Sequence, residues 1–439
     1  MSVPLDNLYN WVESLLPDPA VLYVFRPHGS KKISDCDLFK THDDYDHLFK
    51  FPGIIAHDQE PLDWNYYNCP EDYITSDRWT KLNKLEIDNL RFEYSCNFNL
   101  KSLVFGRSGL LYDQVILLHS EKNSVDLEEY QRNGFICVHH WAHAVIAKDW
   151  YRFAEHDARL TLSTKSQNKF LIYCRDWSHR REYRLKFLEM LVQNNLDTVS
   201  QTSVMHTNSE GVNFLQYQFE NPKFQLIDPE LISQLPNNIF SSTASSDYDY
   251  SDFINSEISV VLETVFDDQR IHLTEKTLRP IACGHPFLLA AGPGSLEYIQ
   301  SYGFKTFAPW IDESYDLETD SFKRLEKIIS SMKNIQQLPG QEQQDFSQAV
   351  KAIADYNKKH FFSDQFFNIL KSELKNNLDQ AWALVKQSRG KHYLELMRLI
   401  RHHNLMHQVP FRREKTQFIR QLRQSGRDTQ SSPGATPSV

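Results

Sequence analysis

The segment Lys169-Phe170-Leu171-Ile172-Tyr173-Cys174 limits the possible folds more than any other. It is a short apolar run of the buried-strand type, which requires cover on both faces. Ile258-Ser259-Val260-Val261-Leu262 and Phe287-Leu288-Leu289-Ala290 read the same way, and earlier runs stand at 21–25, 53–56, 115–118 and 135–138. Stretches with helical spacing lie between them, for example Tyr183, Phe187, Leu188 and Leu191. Strands alternating with helices at this interval predict an α/β fold, with parallel sheets and helices on both faces. Further strands are expected at 224–227 and 303–307.

At 439 residues the chain exceeds one ordinary core, because domains average roughly 100–200 residues. Two tandem Rossmann-like domains are expected, at 1–157 and 158–320. From 321 the pattern turns helical, with Phe322, Leu325, Ile328 and Ile329 on one face and a long helical run over 341–407. This gives a C-terminal helical extension at 321–427 and a tail at 428–439, rich in Ser, Pro, Thr and Gly, that is expected to be disordered.

No uncharged apolar run reaches transmembrane length, and the first residues include Asp6 and Glu13 where a targeting segment would be basic. A cytoplasmic location is the expectation. The six cysteines are scattered without close pairs and read as reduced core thiols. His139, His140 and His143 lack an accompanying carboxylate, so they read as strand-end or core histidines, and no metal is expected. The net charge of −9 argues against a surface built to bind nucleic acid throughout. Residues 389–427, however, carry ten Lys and Arg against two Glu, a basic arm on an acidic body. No feature of the sequence sets an oligomeric state.

Three stretches carry chemistry. In Thr274-Glu275-Lys276, Thr274 reads as the N-cap of a helix that stops at Gly284. The helix start suits a phosphate, and Glu275 beside it can accept from a sugar hydroxyl. Taken alone, the same residues favour the plainer account of a dipole-compensating Glu and a solvated Lys. The second stretch follows the Lys169–Cys174 strand, where Arg175, Arg180, Arg181 and Arg184 crowd the first βα turn, with Arg159 upstream. No Gly-x-Gly-x-x-Gly fingerprint is present, so guanidinium groups would supply the phosphate-binding charge, or the turn is simply a basic helix start. The third is His57-Asp58-Gln59-Glu60-Pro61, directly after the strand at 53–56. Strand ends of this kind form the mouths of open α/β sheets.

The order Val260-Val261-Leu262-Glu263-Thr264, His272-Leu273-Thr274-Glu275-Lys276, then Gly284 and Pro286-Phe287-Leu288 resembles the donor-site signature of GT-B glycosyltransferases. It is most similar to that of the alpha-1,3-fucosyltransferase family, over about residues 169–307. The resemblance implies two Rossmann-like domains facing a cleft, and a nucleotide-diphosphate sugar as co-substrate with no further cofactor. It implies that Glu275 binds the ribose, Lys276 a donor phosphate, and Arg184 or Arg181 the diphosphate, with Thr274, Arg175 and Glu263 in the same site. Glu60 would be the catalytic base, with Asp58 and His57 beside it, and transfer would invert the sugar. Thr264 stands where the family has Asn, and the spacer after Glu263 is longer, so fucose is not implied. The chain also looks like glycosyltransferase-like proteins of bacteriophages, on the segments 58–62 and 273–276. The acceptor is expected to be a saccharide. A modified base in DNA, served by the basic arm, is the alternative, and a non-catalytic nucleotide- or glycan-binding module is the other.

Overall fold

The computed structural model describes residues 6–17, 21–24, 53–56, 115–132, 136–161, 166–238 and 244–402. His57, Asp58 and Glu60, most of the basic arm and the 428–439 tail lie outside the described residues.

The fold is mixed α/β, with two four-stranded parallel sheets. In the amino sheet, β1 (Val21–Val24), β2 (Gly53–Ala56), β3 (Val115–His119) and β4 (Ile136–His139) lie side by side in chain order. In the second sheet, β5 (Asn168–Cys174), β6 (Ser200–Val204), β7 (Ser256–Leu262) and β8 (Phe287–Ala290) take the order β6-β5-β7-β8. Phe170 of β5 pairs with Ser200 on one side and Ile258 on the other. The chain therefore steps outward from β5 to β6, then crosses to the opposite side for β7. Every residue of β8, and every residue of β7 except Glu257, is buried, so both faces are covered as the apolar runs require.

Among the described residues the helices are α1 (Asp6–Glu13), α2 (Val125–Arg132), α3 (Ala142–Trp150), α4 (Tyr183–Gln193), α5 (Glu230–Ser233), α6 (Tyr250–Ile254), α7 (Glu275–Cys283), α8 (Ser295–Ser301), α9 (Ser321–Gln336), α10 (Gly340–Phe362) and α11 (Asp364–His402). The helical run expected over 341–407 is broken at Ser363, whose extended backbone (φ −72°, ψ 152°) separates α10 from α11. Helix α9 buries Leu325, Ile328, Ile329 and Met332 in the core of the second sheet. Helix α11 instead sends Leu374, Leu378, Trp382 and Val385 into the amino sheet's core, beside Ile116, Leu118 and Val138. Among the described residues no helix is long and apolar enough to cross a membrane.

Two expected strands do not form. At 303–307 the backbone runs past side chains instead of a neighbouring strand. Asn357 accepts from the Lys305 N–H and donates to its carbonyl, both at 2.8 Å, while Glu313 takes the Phe307 N–H. At 224–227 the buried Glu189 carboxylate accepts from the N–H groups of Ile227 and Asp228 at 2.6 Å, and Ile227 is 81% exposed. Conversely, β6 is a strand of polar sequence, Ser-Gln-Thr-Ser-Val, at the sheet edge.

The segments that follow β3 and β7 meet. Lys122, just past β3, exchanges both backbone hydrogen bonds with Ile271, in the loop after β7, at 3.0 Å. Arg270 beside it pairs with Asp126 at 2.8 Å and Glu121 at 3.4 Å, all three largely buried. The loop after β8 closes over this junction at Gly292. A Cβ there would lie 2.2 Å from the Arg270 carbonyl, a backbone atom with little freedom to retreat. Gly292→Ala is expected to cost about 2–3 kcal/mol, the scale of overpacking a rigid site, seen as a lower urea midpoint with an unchanged slope.

Candidate functional site

A cavity of about 560 Å³ opens where Leu171, Tyr173 and Arg175 of the β5 region meet Val260–Leu262 of β7. These are the strands between which the order reverses, and ligands of open α/β sheets bind outside the carboxyl ends at such a reversal. The volume is in the range of small-molecule sites, roughly 300–1,000 Å³.

One wall is the start of α7. Thr274 has the extended backbone of an N-cap and its side chain accepts from the Lys276 N–H. Gly284, left-handed at φ 68°, ends the helix as its sequence predicts. Beneath the cap lies Glu263, completely buried at the end of β7. Its carboxylate accepts from the Thr274 N–H (2.9 Å) and hydroxyl (2.7 Å), and from the Thr277 hydroxyl (2.5 Å) and N–H (3.3 Å). Neither Glu263 nor Thr274 is among the cavity's lining residues. Both are turned to the helix and fix where it begins. Glu275 and Lys276 do line the cavity. The Lys276 ammonium donates to Glu275 Oε1 at 2.9 Å and to the Thr274 hydroxyl at 3.1 Å. Burial pushes the Glu275 carboxyl up, but Lys276 and His143 outweigh it and hold the group well below the usual carboxylate range. Glu275 is thus a buried anion at the cavity wall.

The second wall is the arginine-rich turn, and its arginines divide by role. Arg181 is half-buried, lines the cavity and pairs with Asp176 at 2.9 Å. Arg184 also borders the cavity, yet its guanidinium is spent on scaffold. It donates to the carbonyls of Leu262 (2.8 Å), Glu263 (2.9 Å) and Asp176, tying the end of β7 to the turn after β5. Arg175 is exposed at the rim. Before Arg180 and Arg181, His179 adopts φ 54° and bridges Glu220 (2.7 Å) and Glu210 (3.0 Å), whose hydrogen bonds raise its pKa.

The third wall, residues 244–253, overlaps the stretch 241–252 that reads from sequence as a polar Ser- and Asp-rich loop, and it includes the start of α6. It contributes Tyr248, Tyr250 and Asp252 to the cavity. Tyr173 donates to Asp252 at 2.5 Å, and the Arg159 guanidinium lies 4.3 Å from the Tyr250 ring. Arg279 completes the site, 4.4 Å from the Tyr173 ring and donating to the Ala244 carbonyl at 3.2 Å. Burial opposes its charge, while Tyr151, Tyr173 and Glu275 favour it and prevail. Arg279 stands four residues after Glu275, hence on the same helix face, and that spacing is the signal that identifies it.

The three histidines at and just past the end of β4 part company. His139 contacts Glu373 at 3.2 Å and the Tyr298 hydroxyl at 3.3 Å. His140 is buried, which pushes its pKa down to about 3. His143 reaches Glu275. Among the described residues no group of three or more His, Cys, Asp or Glu is placed to hold a metal ion. Compared with models of protein families, with curated proteins and with solved structures, the chain matches none.

Proposed function

We propose that the protein is a glycosyltransferase, built on the GT-B plan, that moves a sugar from a nucleoside-diphosphate sugar to a hydroxyl acceptor with inversion. The observation that carries this reading is the cavity at the strand reversal of the second sheet. Its wall combines Glu275 with Lys276, Arg181 and Arg175, the residues that the resemblance to alpha-1,3-fucosyltransferases implies for the donor. Glu275 accepts from the ribose, and Lys276 and Arg181 meet the diphosphate. Arg184, Glu263 and Thr274 act one layer back, by setting where strand end and helix start lie. The acceptor oxygen attacks the anomeric carbon as the bond to the diphosphate breaks. Negative charge grows on the leaving group, where preorganised cations count most, and Lys276 and Arg181 supply charge that a metal would otherwise bring. The acceptor proton passes to Glu60, with Asp58 and His57 beside it. A saccharide acceptor enters from the amino sheet, a reading supported by the backbone contact of Lys122, just past β3, with Ile271 in the loop after β7.

The test is a panel of nucleotide sugars, followed for binding and for slow hydrolysis. Wild type should hydrolyse one of them, and Glu275→Ala should weaken its binding about tenfold, the scale of a lost hydrogen bond to a charged group. Binding without hydrolysis across the panel would make the chain a binding module. Neither binding nor hydrolysis would overturn both readings. The basic arm adds one arm to the experiment. Duplex DNA binding that weakens steeply with salt, and disappears on removal of 389–439, would move the acceptor from saccharide to DNA.

A further inference from the structure

Glu275 is held from two sides, and only one of them belongs to the second sheet. Its Oε1 meets Lys276 at 2.9 Å. Its Oε2 lies 3.6 Å from Nδ1 of His143, on helix α3, which continues directly from strand β4 of the amino sheet. Both side chains are nearly sealed from solvent, at 6% and 10% exposure. At 3.6 Å the contact is longer than a hydrogen bond, so it acts through charge, which this setting screens weakly.

The placement of His143 is built in by its surroundings. Trp141, at the N-cap of α3, is buried, and its indole N–H donates to the Leu273 carbonyl at 2.9 Å, one residue before the cap of α7. The starts of α3 and α7 are therefore fastened to each other by a side-chain-to-backbone hydrogen bond. The His272 ring stands edge-on to His143, with centroids 5.2 Å apart at 89°, and closes the space behind it. His272 is itself buried and held neutral, by burial first and then by His143, Lys276 and Arg270. Neither of its ring nitrogens has a hydrogen-bond partner among the described residues. It acts as a wall, and of the two imidazoles it is His143 that comes to 3.6 Å from the carboxylate. From the other side, the buried Tyr151 donates to the Ser245 carbonyl at 2.5 Å and lies 3.3 Å from the Glu275 carbonyl, so the loop facing the cavity and the first residue of α7 share one anchor.

We infer that His143 is a positioning residue for the Glu275 carboxylate, through which the amino half of the chain sets the recognition of a ligand's ribose hydroxyl in the cavity of the second sheet. The inference rests on the proposed role of Glu275. With Lys276 on one oxygen and His143 on the other, the carboxylate has one orientation, and its remaining lone pairs are aimed for a hydroxyl donor. Without His143, Oε2 loses its partner, and the carboxylate can rotate about its last bond toward Lys276.

The experiment measures the affinities of ADP, CDP, GDP and UDP, each with its 2′-deoxy and 3′-deoxy counterparts, for the full chain and for Glu275→Ala, His143→Ala, His143→Gln and the Glu275→Ala/His143→Ala double variant. The diphosphate that binds wild type should be preferred about tenfold over one of its deoxy forms, as one hydrogen bond to a carboxylate would give. That preference should fall toward unity in Glu275→Ala and in His143→Ala, and His143→Gln, which keeps a donor at similar reach, should restore part of it. In the double variant the His143 substitution should add almost nothing, since residues acting through one another are non-additive. If Glu275→Ala changes neither affinity nor preference, or if no diphosphate binds, the site reading itself fails and this inference with it. If Glu275→Ala abolishes the preference and both His143 variants keep it, the site stands and the inference is overturned. A loss in His143→Ala that is equal for ribose and deoxyribose ligands also overturns it, because a merely structural residue would act in that way.

Discussion

Glu263→Ala should destabilise the protein by about 4 kcal/mol, measured as a shift in the midpoint of chemical denaturation. The Glu263 carboxylate is completely buried and gathers two backbone N–H groups and two hydroxyls from Thr274 and Thr277. Its own backbone carbonyl is also occupied, accepting from Tyr183 at 2.5 Å and from Arg184 at 2.9 Å. Truncation leaves several donors without an acceptor in a dry site. Each such loss costs about 1–3 kcal/mol before relaxation, and the negative charge that complements the α7 N-terminus disappears as well. Glu263→Gln is the sharper variant. It keeps the volume and one accepting oxygen, which can still take the bonds now made to Oε1. It removes the charge, however, and puts an NH2 group where Oε2 accepts from the Thr274 hydroxyl, so it should recover only part of the loss. A Glu263→Gln protein with wild-type stability would show that the carboxylate does not hold the helix start.

This result would also bear on why Glu263 stands where it does. A carboxylate at the end of a buried strand, twelve residues before another at a helix start, looks from sequence like one of two ligand-binding acids. The side chains separate them. Glu263 turns inward to the cap, and Glu275 lines the cavity. No pattern in the primary sequence distinguishes the two, because the difference lies in which way each side chain leaves its backbone.

The same division runs through the fold. Features written by local chemistry were legible: Thr274 as a cap, Gly284 as a stop, the apolar runs as β5, β7 and β8. Features decided by a distant partner were not. Lys305 and Phe307 have strand-like neighbours, but Asn357 and Glu313 take the hydrogen bonds that an adjacent strand would need. Residues 200–204 are too polar to read as a strand, yet the edge of β5 pairs with them. In the site, Lys276 and Arg181 could be read from motif and charge density. Tyr248 and Tyr250 could not, because the polar stretch that ends in the short helix α6 shows no periodicity in the sequence. Arg184 carries the opposite lesson. Charge density marks it as a phosphate ligand, whereas burial and three backbone carbonyls make it a fastening.

Lys276→Met and Arg184→Lys should therefore fail in different ways. Lys276 is half-buried at the cavity wall, and under the proposed glycosyl transfer its loss should lower kcat/KM for the nucleotide-sugar donor about 10²–10³-fold, the scale of removing one preorganised charge from a transition state. It should also move the acid limb of the pH profile. In wild type, burial raises the Glu275 carboxyl, but Lys276 and His143 more than offset this, so its pKa is depressed. A depressed carboxyl keeps its contribution above the ordinary pKa and loses it only as pH falls through the lowered value. Removing Lys276 leaves burial less opposed, so the carboxyl titrates at higher pH, and residual activity should decline earlier on acidification. Arg184→Lys replaces a planar fork with a single ammonium that cannot reach three carbonyls together. It should lower stability by about 2–3 kcal/mol, and the protein that remains folded should keep its acid limb in place. If Lys276→Met shifts only the denaturation midpoint, leaving kcat/KM and the pH profile intact, Lys276 belongs to the scaffold with Arg184, and the diphosphate must be held by Arg181 and Arg175.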